Sequence, residues 1–171
     1  MKHPRCPICK APHTLLKGRP LRVLRATARA LAGLVRRTRR PLLARRQKPG
    51  QWSAVEVMAH LADVEIAAGF RIRKIVSEPR PALTAYDQEA WAKALRYPRQ
   101  DPRSLLHTFR AVRESNLRIL RSLAPVQRRR VGVHSEYGPL RLDQLVEHLA
   151  EHDLNHLNQI RQNLRRRAAR R

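Results

Sequence analysis

The sequence lacks acids where it is richest in bases. No Asp or Glu occurs before Glu56, although residues 1–50 carry 15 Lys and Arg. Aromatic residues make up only 4% of the 171-residue chain, and none precedes Trp52. A core must therefore come from Leu, Val, Ile and Ala, which favours helices. Only two cysteines occur, Cys6 and Cys9. They are too close together to staple a fold, so a secreted disulfide scaffold is excluded. The longest apolar run, Ala30 to Val35, is far short of the about 20 residues that a membrane span needs. With no signal-peptide hydrophobic region, the expected compartment is the cytoplasm.

What is present begins with charge. Lys and Arg total 37 against 13 Asp and Glu, a formal net of +24. The excess lies at the ends, because residues 1–50 and 161–171 together carry +21 and no acid, which leaves +3 for residues 51–160. Such ends suit contact with nucleic acid or an anionic membrane surface. They are equally readable as solvated tails. Without an aromatic before Trp52 to stack on a base, binding there would be electrostatic and steeply salt-dependent.

Apolar spacing predicts four helices. The first covers about Leu21 to Arg37, with Leu24, Ala28, Leu31 and Val35 on one face; Pro41 and Pro49-Gly50 close that region. The second starts at Ser53-Ala-Val-Glu56, a capping box in which each end residue bonds the other's amide. Val57, Leu61, Val64, Ala68, Ile72 and Ile75 then form its stripe. Asp101-Pro102 opens the third helix, whose face is Leu105, Phe109, Val112, Asn116, Ile119 and Leu123. The fourth runs from about Leu142 to Leu164. Residues 77–101 and 125–139 show no sustained period and read as connections.

Four helices with matching stripes make an all-α fold, a four-helix bundle. The segment 77–101 stretches to about 80 Å, against about 36 Å for a 24-residue helix. It is therefore long enough to be a crossover that lets helices two and three run parallel. The expected organisation is a basic extension over 1–18, the bundle over 19–165 and a basic tail over 166–171. Cys6-Pro-Ile-Cys9, with His3 and His13 nearby, has the form of half a zinc knuckle. A zinc ribbon needs a second cysteine pair, and the chain has none.

Histidine carries the chemistry. His148, His152 and His156 recur every four residues on the fourth helix. On a helical wheel His156 falls within the stripe of Leu142, Leu145, Val146, Leu149, Ile160 and Leu164, and His152 lies at its edge. His148 is displaced toward solvent. Two imidazoles at i and i+4 are spaced to hold one metal ion, and a third from a facing helix would leave coordination positions open, as catalytic sites do. His60 borders the second helix's stripe. Spacing alone does not select it as that third ligand, and packed core histidines remain the alternative.

The stretch from Gln51 to Glu65, QWSAVEVMAHLADVE, resembles the W-S-x-x-E-x-x-x-H-L-x-D signature of the DinB/YfiT-like superfamily. Leu145 to Ile160, LVEHLAEHDLNHLNQI, resembles its C-terminal H-x-x-x-H helix, and Tyr86 to Trp91 is similar to a linker segment common there. The resemblance implies a bundle with a long crossover and a divalent metal, zinc or nickel, held by His60, His152 and His156. It implies an enzyme in which that metal activates a low-molecular-weight thiol for transferase chemistry, with metal-dependent hydrolysis as the alternative. A non-catalytic binding protein with basic ends is the third reading. Asp63 and Asp153 are the candidates to hold ligand imidazoles as acceptors, and Asp153 falls in mid-stripe, where an unpaired carboxylate is costly. Glu56 reads as a capping residue, and Trp52, Tyr86 and Trp91 as packing. The expected partners are a small-molecule substrate, nucleic acid or an anionic surface for the basic ends, and a second copy of the chain.

Overall fold

A computed structural model describes residues 7, 8, 16 and 19–165. Cys6 and Cys9, with His3 and His13, lie outside these residues, as does the tail from 166 onward. Four long helices dominate: α1 (Pro20–Arg37), α3 (Ala54–Ser77), α5 (Pro102–Ser122) and α7 (Leu142–Arg165). Their starts follow local chemistry. Ser53 Oγ accepts from the Glu56 amide at 3.3 Å while Glu56 Oε2 accepts from the Ser53 amide at 2.8 Å, so the capping box is complete. Asp101 caps α5 by accepting from the Ser104 amide at 2.9 Å, and Pro20 and Pro102 occupy first turns, where no amide is needed.

Apolar side chains divide into two clusters, and the division gives the helix directions. One holds Leu24, Ile72, Ile75, Leu117, Leu120, Leu145 and Leu149; the other holds Leu31, Val57, Leu61, Leu105, Phe109, Leu157 and Ile160. The early parts of α3 and α5 share a cluster, so these helices run the same way. The early part of α1 and the early part of α7 meet the late parts of both, so α1 and α7 run opposite to them. Each fully buried side chain, such as Phe109 or Leu61 at 1% exposure, contributes about 1.5–3 kcal/mol relative to leaving it in water.

Between the clusters lies a polar layer to which every long helix contributes. Thr27, Glu65, Arg113, Asn116 and Asp153 are all buried there. Arg113 Nη2 stands 2.7 Å from Glu65 Oε2, and Nη1 lies 2.7 Å from both Asp153 Oδ2 and the Leu24 carbonyl. Asn116 Nδ2 donates to Glu65 Oε1 at 2.8 Å. Gly69 makes room for that amide, since a Cβ would sit 2.7 Å from Asn116 Oδ1.

The connections hold more structure than their sequence periodicity suggests. Residues 78–101 contain β1 (Ala82–Leu83), α4 (Gln88–Ala94) and a 3-10 turn at Tyr97–Arg99. Asp87 starts α4 by accepting from the Glu89 and Ala90 amides at 2.9 and 3.0 Å. The short helices α2 (Arg40–Leu43) and α6 (Pro125–Arg128) lead into α3 and into the hairpin β2 (Val131–His134) and β3 (Gly138–Arg141). β1 pairs parallel to β2, and β2 antiparallel to β3. Leu83 and Leu140 of this sheet join the cluster around Ile75, so the sheet closes one end of the bundle. Gly132 is required there, because a Cβ would meet Leu83 Cδ1 at 2.7 Å. No helix among the described residues is long and apolar enough to cross a membrane.

Candidate metal centre

The cluster forms where α3 and α7 face each other, in the half of the bundle away from the sheet. His60 projects from the buried face of α3, between Val57 and Leu61, and is 3% exposed. One helical turn on α7 brings His152 and His156 to the same point. His60 Nε2 lies 3.0 Å from His152 Nε2, and His156 Nε2 lies 3.1 Å from it. One ligand atom from each of the three falls within 4.8 Å of the others.

Three imidazoles cannot satisfy this arrangement by themselves. An imidazole nitrogen carries either one proton or one lone pair. His152 Nε2 therefore cannot serve both short contacts as hydrogen bonds. The Nδ1 atoms of His60 and His152 are buried without a hydrogen-bond partner. A cation taking all three Nε2 lone pairs resolves the conflict at His152 Nε2. Nitrogens about 2.0–2.1 Å from a tetrahedral zinc stand about 3.3 Å apart, near the observed spacing. The donor set suits zinc or nickel better than magnesium or calcium, which prefer oxygen.

Electrostatics keeps the ligands ready. Burial, reinforced by the repulsion that a protonated His156 would exert, pushes His60 down to about 3. Burial, then the neighbouring His156, His60 and His148 and the Arg113 guanidinium, holds His152 well below the ordinary imidazole value. His156 is lowered by burial, although its bond to Gln159 acts the other way. All three rings are therefore neutral at pH 7. His156 Nδ1 lies 2.8 Å from Gln159 Oε1, which accepts from an Nδ1 proton and leaves Nε2 with its lone pair. Trp52 packs beside His60 with ring centroids 5.2 Å apart, and its carbonyl accepts from Asn163 Nδ2 at 3.0 Å. That bond ties the end of α7 to the start of α3, and with it His156 to His60. Trp52 also lines a cavity of about 530 Å³ with Arg46, Glu56, Lys93 and Arg96.

The two carboxylates expected to support imidazoles are turned elsewhere. Asp153 accepts from the buried guanidinium of Arg113, and Asp63 accepts from the Tyr97 hydroxyl at 2.5 Å. The mid-stripe position of Asp153 does demand a partner, but that partner is a cation from α5. Burial raises Asp63, against the pull of Tyr97. Burial alone would raise Glu56 as well, yet its bonds from Arg46 and Ser53 hold it below the usual carboxylate range. Glu56 is thus a capping group and an ion-pair partner of Arg46. Tyr86 and Trp91 stack on each other with centroids 4.3 Å apart, and Arg71 lies over Tyr86. Gln159 and Tyr97 are the additions to the sequence reading. Gln159 could have been sought from its i+3 relation to His156, whereas nothing local links Tyr97 to Asp63.

A four-helix bundle that brings three neutral imidazoles from its second and fourth long helices to one point defines a class of three-histidine proteins. The chain belongs to the DinB superfamily, whose sequence profile matches residues 23–160. It is 29% identical over 115 residues to a proposed metal-dependent hydrolase of Oceanobacillus iheyensis; the match covers 66% of this chain and 65%, just under two thirds, of that one. It is 27% identical over 89 residues to another protein so named, YfiT of Bacillus subtilis, over 52% of this chain and 50% of that one. The structure of YfiT, a probable metal-dependent hydrolase with an unusual four-helix bundle topology, superposes with a TM-score of 0.81 at 23% identity, covering 87% of this chain and 86% of that one. The mycothiol-dependent maleylpyruvate isomerase shares the fold at a TM-score of 0.68 and 8% identity, over 82% and 59% of the two chains.

Proposed function

We propose that the chain is a divalent-metal-dependent enzyme that activates a small nucleophile at His60, His152 and His156. The observation that carries this is the pair of 3.0 and 3.1 Å contacts at His152 Nε2, which three imidazoles alone cannot satisfy. A divalent ion held there would lower the pKa of a bound water or thiol toward neutrality. The chain's own groups do the rest. Gln159 fixes the His156 tautomer, Trp52 covers one side of His60, and the Asn163 bond holds α7 against the start of α3.

The hydrolase names of the relatives support water as the nucleophile. Transfer to a low-molecular-weight thiol is the second reading, supported by the fold shared with a mycothiol-dependent isomerase. An activated ester offered to the zinc- or nickel-loaded protein, with and without a small thiol, separates the two. Metal-dependent turnover in water alone marks hydrolysis, and turnover that requires the thiol marks transfer. Equal metal content in wild type and His156→Ala refutes the site.

A further inference from the structure

An open groove of about 1310 Å³ runs between α1 and α5, apart from the histidine cluster. Its walls carry Arg25, Arg29, Arg36 and Arg37 from α1, and Arg103 and Arg110 from α5. All six are exposed. The floor is made of small residues, Ala28, Ala32, Gly33 and Ala111. The Arg37 guanidinium folds over that floor, where a Cβ on Gly33 would stand 3.0 Å from Nη2.

None of these six cations forms an ion pair among the described residues. The ion pairs among the described residues engage Arg46, Lys74, Arg113, Arg121 and Arg141. Glu114 lines the groove, but its ion-pair partner is Arg121, at 3.7 Å. No carboxylate precedes Glu56, so α1 cannot supply one. Like charges four apart, such as Arg25 and Arg29, weaken a helix. A concave surface whose charged lining is mostly basic also focuses its field on whatever enters. The arrangement weakens the helix slightly and favours any anion that enters the groove.

The shape says which anion. Arg25 to Arg36 span about 16 Å of helix at 1.5 Å per residue, so one small anion cannot reach all of the guanidiniums. A repeating phosphodiester can, and each guanidinium fork matches a phosphate in two-point contact. The groove has no Phe, Tyr or Trp on which an unpaired base could stack. A flat bilayer surface fits poorly, because the arginines line a concave groove that offers no exposed large apolar side chain for insertion. The exposed large apolar residues, Ile66, Phe70, Leu95, Val126 and Val133, all lie outside the groove. We infer that the α1–α5 groove seats one phosphate strand of a nucleic-acid duplex, without reading its sequence.

Fluorescence anisotropy of the full chain with an arbitrary 20-base-pair DNA duplex, and with the matching RNA duplex, tests this. Six phosphate contacts predict that affinity falls about 10³-fold between 50 and 200 mM salt. The triple substitution Arg29→Ser, Arg36→Ser and Arg110→Ser should lower the logarithmic salt slope by about 3 and weaken binding more than tenfold. Ala32→Glu, which keeps every arginine, should weaken it in the same direction. A Ser-substituted tail, at Arg166, Arg167, Arg170 and Arg171, should still bind through the groove. Melting by circular dichroism confirms that each variant is folded. Groove variants that bind duplex as wild type does would overturn the inference. So would a single strand that binds more tightly than the duplex, or phosphatidylglycerol vesicles whose binding alone depends on the groove.

Discussion

Arg113 and Asp153 form a buried ion pair across the bundle, with Nη1 and Nη2 lying 2.7 and 3.2 Å from the two carboxylate oxygens. Glu65 shares the same guanidinium. Removing one partner from such a group leaves a buried charge without compensation, whereas replacing the whole group with apolar residues does not. Arg113→Met alone should therefore cost about 3–5 kcal/mol, because it strands two carboxylates. Glu65→Leu, Arg113→Met and Asp153→Leu together should be neutral or stabilising by about 1–4 kcal/mol. Urea unfolding of the two variants checks the contrast, and a triple variant less stable than the single one contradicts it.

Metal content should follow the three histidines and spare their neighbour. His60→Ala, His152→Ala or His156→Ala should each remove most of the zinc retained after dialysis. His148→Ala should leave it in place, because His148 lies outside the converging group. Elemental analysis of the four purified proteins is the measurement.

Gln159 should matter through His156 rather than by touching the ion. Gln159→Leu removes the acceptor that fixes the Nδ1 proton, and loss of such partners typically weakens metal affinity 10–100-fold. Competition with a chromophoric chelator reads the change. Gln159→Glu, which keeps an acceptor, should retain most of the affinity.

Acid should destabilise the metal-free protein. His60 sits at about 3 when folded and near 6.5 as an ordinary imidazole, while His152 and His156 are also lowered. Below about 6.5 the unfolded chain takes up protons that the folded chain refuses, so stability declines as the pH falls from there toward 3. Thermal melts of chelator-treated protein at pH 7.5 and pH 5 should show a lower midpoint at pH 5. His60→Gln should lessen the drop, and a midpoint independent of pH would refute the burial argument.

What the sequence made legible was local. The Ser53–Glu56 box, the Asp101-Pro102 start and the i, i+4 spacing of His152 and His156 involve residues within one helical turn, where geometry is nearly fixed in advance. His60 was reached through its family signature, because its nearest histidine partner lies 92 residues away. Long-range pairings were illegible for the same reason. Arg113 sits on a stripe-adjacent position of α5, and no local rule joins it to Asp153, 40 residues on. The small sheet escaped because β1 has only two residues and pairs with a strand some fifty positions later. Such short runs show no period.

The wide separation of His60 from His152 has a consequence for the life of the chain. A bound ion would fasten the second long helix to the last, closing a loop that includes all of α5 and the sheet. Closing so long a loop is entropically costly, so the ion's affinity becomes part of what keeps α7 docked. At a free concentration 100 times its dissociation constant, it adds about 2.7 kcal/mol. Starved of metal, the same protein would expose its last helix to proteases more often. Its persistence in a cell would then record how much metal that cell has to spare.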